Sequence, residues 1–234
     1  MNKMMKKDWL ALLIIPVQML VGGGLTHLVG THNTTATGLI ALGLQAISLV
    51  VIIYFYKGLF AKDWAIFKTK FWRNLGLSFL LMIGAHGVLS IVRIVFQLNK
   101  IVANTGDNGS SMTVNSANLL MAVAISLIPL SAPLIEEVIF RYVLFYKWRG
   151  HKASIYWGLF VLQGILFGLA HYNNFGGQIL LTLPYMFVGM YFALIYHWRK
   201  NIWQNITTHL LFNSISFFAA LLMLILNLLG IYKG

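Results

Sequence analysis

Seven stretches of mostly apolar residues, each long enough to cross a bilayer and joined by short basic connections, leave this chain few ways to fold in water. They run over 9–29, 38–56, 75–97, 117–146, 154–172, 178–196 and 202–229. A crossing needs about 20 such residues as a helix. In hydrocarbon every backbone N–H and C=O must be satisfied within the segment, which favours helices over irregular chain. The chain is 59% hydrophobic and 9% charged, against roughly 25% charged for a soluble domain. The expected fold is therefore all-α: a polytopic integral membrane bundle forming one membrane domain over residues 1–234. The fourth run is too long for one straight crossing and contains Pro129 and Pro133, which remove backbone donors and kink helices. A break there would raise the count from seven spans to eight.

The net charge of +12 does not indicate nucleic acid, because the bases form short patches between apolar runs instead of one basic face. Thirteen of the 17 Lys and Arg residues fall on one side of the alternating spans: Lys3, Lys6 and Lys7, then 57–73, then 147–152, then Arg199 and Lys200. Only Lys100 and Lys233 fall on the other. By the positive-inside rule the N-terminus is cytoplasmic and, with seven crossings, the C-terminus is external. The basic start followed by Trp9-Leu-Ala-Leu-Leu resembles a signal peptide, but no small-x-small site follows, so it reads as a retained first span. The absence of cysteine excludes disulfides, thiolate metal sites and a cysteine nucleophile. Segment 57–74, with Trp64, Phe67 and Trp72 among its bases, reads as an amphipathic helix along the membrane interface. Segment 99–115, rich in Asn, Gly and Ser, reads as an external loop of little structure. No internal repeat is visible, which argues against a transporter.

The chain has only two glutamates, Glu136 and Glu137, adjacent in an apolar stretch. A carboxylate in hydrocarbon costs several kcal/mol unless it is paired or faces a polar cavity, and such residues mark function by default. On a helix, Glu137 shares a face with Arg141 one turn on and can pair with it. Glu136 is rotated about 100° away and is free to act as a base. The alternative is that both glutamates only bond neighbouring helices.

Two more polar clusters lie in apolar spans. His171 closes Phe167-Gly-Leu-Ala-His171, where Gly164 and Gly168 permit close helix approach. His209 and Asn213, four apart in the last span, share one helix face; they read as interhelical hydrogen-bonding groups, or as metal ligands or oxyanion donors. His27, His32, His151 and His197 read as interfacial. His86 and Arg93, seven apart in the third span, share a similar face. A carboxylate base, two imidazoles and an amide on intramembrane helices are what water-activating hydrolysis requires: a base for the water and donors for the oxyanion. If a divalent metal such as zinc is bound, Glu and His ligands would leave a position open for water.

The order Glu136-Glu137-x-x-x-Arg141, Phe167-x-x-x-His171 and His209-x-x-x-Asn213 resembles the CPBP intramembrane protease family, also called the CAAX protease and bacteriocin-processing or Abi family. The motifs match at every defining position and occupy a core of about 115–229. The resemblance implies an all-helical membrane fold with an active-site cavity sunk in the bilayer and opening to the cytoplasm. It implies that Glu136 and His171 activate water, that His209 and Asn213 bind the oxyanion or a metal, and that Glu137 and Arg141 support them. Glu136, His171 and His209 would be the ligands of any zinc. It implies partners too: the lipid bilayer, a peptide or membrane-protein substrate and, for short basic relatives like this chain, a peptide bacteriocin or its membrane receptor. One count disagrees with a shared site. At about 1.5 Å per residue from the cytoplasmic bases, Glu136 and Asn213 come out near mid-bilayer but His171 near the outer face. Either the fifth helix starts later or is strongly tilted, or the span boundaries are misplaced, and the boundaries are the expected fault.

Overall fold

The computed structural model describes residues 4–30, 33–105 and 119–231. His32, Lys3, Lys233 and residues 106–115 of the expected loop lie outside them. The described residues form α1 (Lys6–Val29), α2 (Thr34–Phe67), α3 (Phe71–Val95), the short α4 (Leu98–Thr105), α5 (Leu119–Glu136), α6 (Ala153–Leu169), α7 (Leu183–Arg199) and α8 (Ile202–Leu228). Between α5 and α6 the chain continues as a π-helix, Glu137–Val143, and a 3-10 turn, Tyr146–Trp148. The result is an all-α bundle with the long crossings the composition predicts. Its outer faces carry exposed large apolar side chains such as Leu20, Val50, Leu80, Ile94 and Leu222, as lipid contact requires.

The fourth run does not break. Leu119–Trp148 is one helical stretch, so among the described residues the fourth run supplies one crossing, not two. Pro133 removes the donor that would bond the carbonyl of Pro129. That carbonyl instead accepts a 2.7 Å hydrogen bond from Asn213 Nδ2 of α8, so a neighbouring helix repairs the ladder. Two further expectations need correction. Residues 57–67 are the last three turns of the 34-residue α2, not a separate interfacial helix. A span end that reaches the headgroups shows the same mixture of bases and aromatics as a helix lying along them. The first part of segment 99–115 is not loop either, since α4 extends to Thr105.

One end of the bundle gathers the bases. Asp8 in α1 is fully buried; it accepts hydrogen bonds from Tyr56 of α2 at 2.9 Å and from the Met5 amide at 2.7 Å, and pairs with Lys147. Lys7 Nζ donates to the Phe55 carbonyl. Asp63, at the end of α2, accepts the amide of Ile202 at 2.7 Å, a carboxylate at a helix N-terminus where an orphan N–H and the helix dipole both favour it. Asn201, the residue before α8, accepts from the amides of Trp203 and Gln204 and donates to the Asp63 carbonyl. Arg199 reaches Asn74 of α3, and Tyr156 of α6 meets His197 of α7. These contacts bring together every terminus that the charge count assigned to one side.

The packing of α6 on α7 sets the site. A Cβ on Gly164 would lie 2.9 Å from the Met186 carbonyl, one on Gly168 would lie 2.8 Å from the Met186 amide, and one on Gly189 would lie 2.9 Å from the Phe167 ring. At Gly164 and Gly168 the close contact is backbone, which leaves no flexible atom to move aside. Gly168→Val should therefore overpack the pair by about 1–3 kcal/mol, read as a lower thermal midpoint of the detergent-purified protein. Gly158→Ala, on the same helix where a Cβ meets nothing within 4 Å, should leave the midpoint unchanged.

Candidate active site

The site is built around a carboxylate sealed from solvent. Glu137 opens the π-helix, which closes with the Leu144 amide donating to the Ile139 carbonyl, five residues back. Such wide turns recur at functional positions because they re-aim side chains within a helix. Glu137 is 0% exposed and has three partners: Arg141 Nε at 3.3 Å, His209 Nδ1 at 2.8 Å and Asn205 Nδ2 at 3.0 Å. Arg141, also fully buried, makes no well-aligned hydrogen bond. Its charge is answered by Glu137 and by the faces of Phe167, Phe192 and Phe140, whose centroids lie 4.1, 5.3 and 5.6 Å from Cζ. Cation–π attraction is strongest in such desolvated surroundings.

Glu136 differs from its neighbour. Its side chain keeps 17% of its surface accessible, and Oε2 accepts no hydrogen bond from the protein. His209 Nε2 stands 3.7 Å from that oxygen. Because a carboxylate only accepts, His209 Nδ1 carries the proton given to Glu137, and Nε2 is the atom turned toward Glu136. His171 is oriented the same way: Nδ1–H donates to the Phe167 carbonyl at 2.8 Å, leaving Nε2 free. A second partner that fixes the tautomer is what a working imidazole requires. Tyr185 stacks on the His171 ring at 4.6 Å. The Phe167 ring contacts both imidazoles, at 5.0 Å from His171 and 5.7 Å from His209. His171 lies within electrostatic reach of Glu136, His209 and Arg141.

The depth count placed His171 too far out, although the α6 boundary it used was correct to one residue. The fault lay in assuming upright helices. Phe145 stacks on Tyr156 at 4.4 Å, and Phe140 meets Phe167 at 5.4 Å. Five residues of the π-helical strand thus pass eleven residues of α6, so the two segments cross obliquely. His171, one turn beyond Phe167, is thereby brought within electrostatic reach of Glu136.

Asn213 stands one turn past His209 and gives one of its two amide hydrogens to the Pro129 carbonyl. Asn205, Tyr185 and Phe192 escaped the sequence reading. Asn205 is fully buried, bonds Glu137 and donates to the Phe192 carbonyl at 2.7 Å. Its signal was present, since it sits one turn before His209 in an apolar span. His86 stacks on Phe212 at 4.4 Å. Among the described residues no three His, Asp or Glu side chains come close enough to hold a metal ion. Glu136 and His209 are spaced as two ligands could be, but as placed the set with His171 does not close around one ion.

Residues 116–215 match the family profile described as "Type II CAAX prenyl endopeptidase Rce1-like". Over that stretch the chain is similar to the CAAX protease family. The matched residues include all three motifs. A curated relative, "Putative membrane peptidase YdiL" of Bacillus subtilis (strain 168), is 28% identical over 138 residues, 58% of this chain and 51% of that protein. The chain thus matches about half the length of this relative. No solved structure is similar.

Removing either half of the buried pair should be severe. Glu137→Leu strands Arg141 and should cost about 3–5 kcal/mol, read as a large drop in thermal midpoint or loss of the monodisperse species. Asn213→Leu leaves the Pro129 carbonyl unpaired and should cost about 1–3 kcal/mol in the same measurement. Glu136→Gln, which breaks no hydrogen bond, should melt like the parent.

Proposed function

We propose that this protein is an intramembrane endopeptidase that hydrolyses peptide bonds with water activated by Glu136. The observation that carries the reading is the contrast between the two glutamates. One is committed to holding the site together, while the other is partly accessible, free of hydrogen bonds and faced by an imidazole. A site water would give one hydrogen to the Glu136 carboxylate and the other to the lone pair of His171 Nε2. Glu136 takes the proton as the water oxygen attacks the peptide carbonyl, and later passes it to the departing amine, so protons balance over the cycle. The oxyanion is met by His209 Nε2–H when that ring carries both protons, and by the second amide hydrogen of Asn213. Held donors of this kind supply several kcal/mol of transition-state stabilisation. Arg141 and Glu137 keep His209 aimed. No step here passes through a metal ion, since the residues as placed do not form a three-ligand set.

The basic end of the bundle is read as cytoplasmic by the positive-inside rule, which puts the N-terminus inside. The proposed substrates are peptides or membrane-protein segments that reach the bilayer. For a short, lysine-rich member the proposed setting is self-immunity toward a peptide bacteriocin, with CAAX-type processing of a lipid-modified C-terminus as the alternative within the same chemistry.

The test is cleavage of a peptide library by purified protein in ¹⁸O-labelled water, followed by mass spectrometry. One labelled oxygen should enter each new carboxylate. Glu136→Gln and His171→Ala should each lower the rate at least about 100-fold, Glu136→Gln without lowering the thermal midpoint. Activity lost to a chelator and restored by zinc would replace Glu136-activated water with a metal-activated one. Immunity retained by Glu136→Gln cells would indicate a scaffold that shields a receptor without cutting.

A further inference from the structure

The basic end of the bundle contains two cavities that the peptidase chemistry does not use. One, of about 390 Å³, lies between the start of α6 and the end of α7; the other, of about 510 Å³, lies between α1, α2 and the end of the π-helical strand. Both are the size of small-molecule sites. They are adjacent, sharing Tyr146, Arg149 and Lys200, and neither is lined by Glu136 or Glu137.

The lining is cationic. Lys7, Lys62, Arg149 and Lys200 contribute four positive charges, and Asp63 is the one acid. Asp63 is already engaged, because its carboxylate accepts the Ile202 amide at the head of α8. Arg149 is held with its guanidinium 4.3 Å from the centroid of the Tyr146 ring. Two independent features point to a ligand-binding role for this space. Tyr146 is 7% exposed, yet its hydroxyl has no hydrogen-bond partner in the protein, and buried polar groups rarely go unpaired without a reason. Lys200 adopts left-handed backbone geometry, φ 53° and ψ 32°, at the end of α7, a position that favours glycine or asparagine. A strained backbone that keeps a charged side chain points to a role for that charge.

We propose that this space binds a phosphate group, and that the phosphate is the headgroup of an anionic membrane lipid. Arg149 and Lys200 reach the phosphate oxygens, Tyr146 donates its unpaired O–H, and Lys7 and Lys62 flank the entrance. The location selects the lipid over a free phosphate. The cavities open where seven segment ends meet, at the level of the packed Trp64 and Trp203 rings, whose centroids are 5.0 Å apart. Aromatic belts of this kind mark the membrane interface, and basic pockets between spans at that level recognise lipid headgroups.

The test uses the full chain in nanodiscs of phosphatidylcholine alone or with phosphatidylglycerol, read by native mass spectrometry and thermal midpoint. Wild type should retain phosphatidylglycerol selectively and melt higher in its presence. The double variant Arg149→Gln, Lys200→Gln should lose roughly 30-fold in that selectivity while melting like wild type in phosphatidylcholine. Tyr146→Phe, which removes only the unpaired hydroxyl, should lower selectivity several-fold and leave the phosphatidylcholine midpoint unchanged. Glu136→Gln should bind lipid like wild type, so this result stands apart from the peptidase assay. Equal retention of both lipids by wild type, or undiminished selectivity in the double variant, would overturn the site. Stabilisation by inorganic phosphate as strong as that by phosphatidylglycerol would overturn the lipid assignment.

Discussion

A negative charge held at zero exposure among apolar helices is the constraint on which the rest of the site depends. Glu137 is tolerable only because Arg141, His209 and Asn205 converge on it, and each of those side chains is itself buried and needs it in return. The arrangement ties the π-helical strand to α8. Through the Asn205 bond to the Phe192 carbonyl it also reaches α7. A network in low dielectric is strong when complete and costly when broken, so the position of His209 is fixed by charge as well as by packing.

The same economy governs the other acids. Asp8 is committed to Lys147, Tyr56 and a backbone amide, and Asp63 to the head of α8. Among the four described acidic residues, Glu136 is the one whose carboxylate accepts no hydrogen bond. A membrane protein with this few acids places them where they join elements, and the exception stands beside the two imidazoles.

Much of this was readable from the residues, and the misses have physical causes. The long crossings follow from the length of the apolar runs. The Glu137–Arg141 pair was visible because residues four apart share a face in an α-helix and stay close in a π-helix. The π-helix itself left no mark in the spacing, because the wide turn is selected by partners far away in sequence. Asn205 could have been found by stepping back one turn from His209. The depth of His171 could not, since it depends on the oblique crossing of α6, which three glycines permit by their contacts and not by their own propensity. The end of α2 was mistaken for an interfacial helix because lysines and tryptophans look alike whether a helix ends at the headgroups or lies along them. The family resemblance is clearest in the second half of the chain, where the motifs lie and where the family profile matches.

The brevity of α6 has an effect outside the protein. Seventeen residues extend about 25 Å, short of a hydrocarbon layer of about 30 Å, and the helix is inclined besides. Lipid beside such a segment is drawn thinner to meet its ends. His171 lies just past one of those ends, so the pinched leaflet would shorten the path by which water and an extended peptide reach the carboxylate from the aqueous phase.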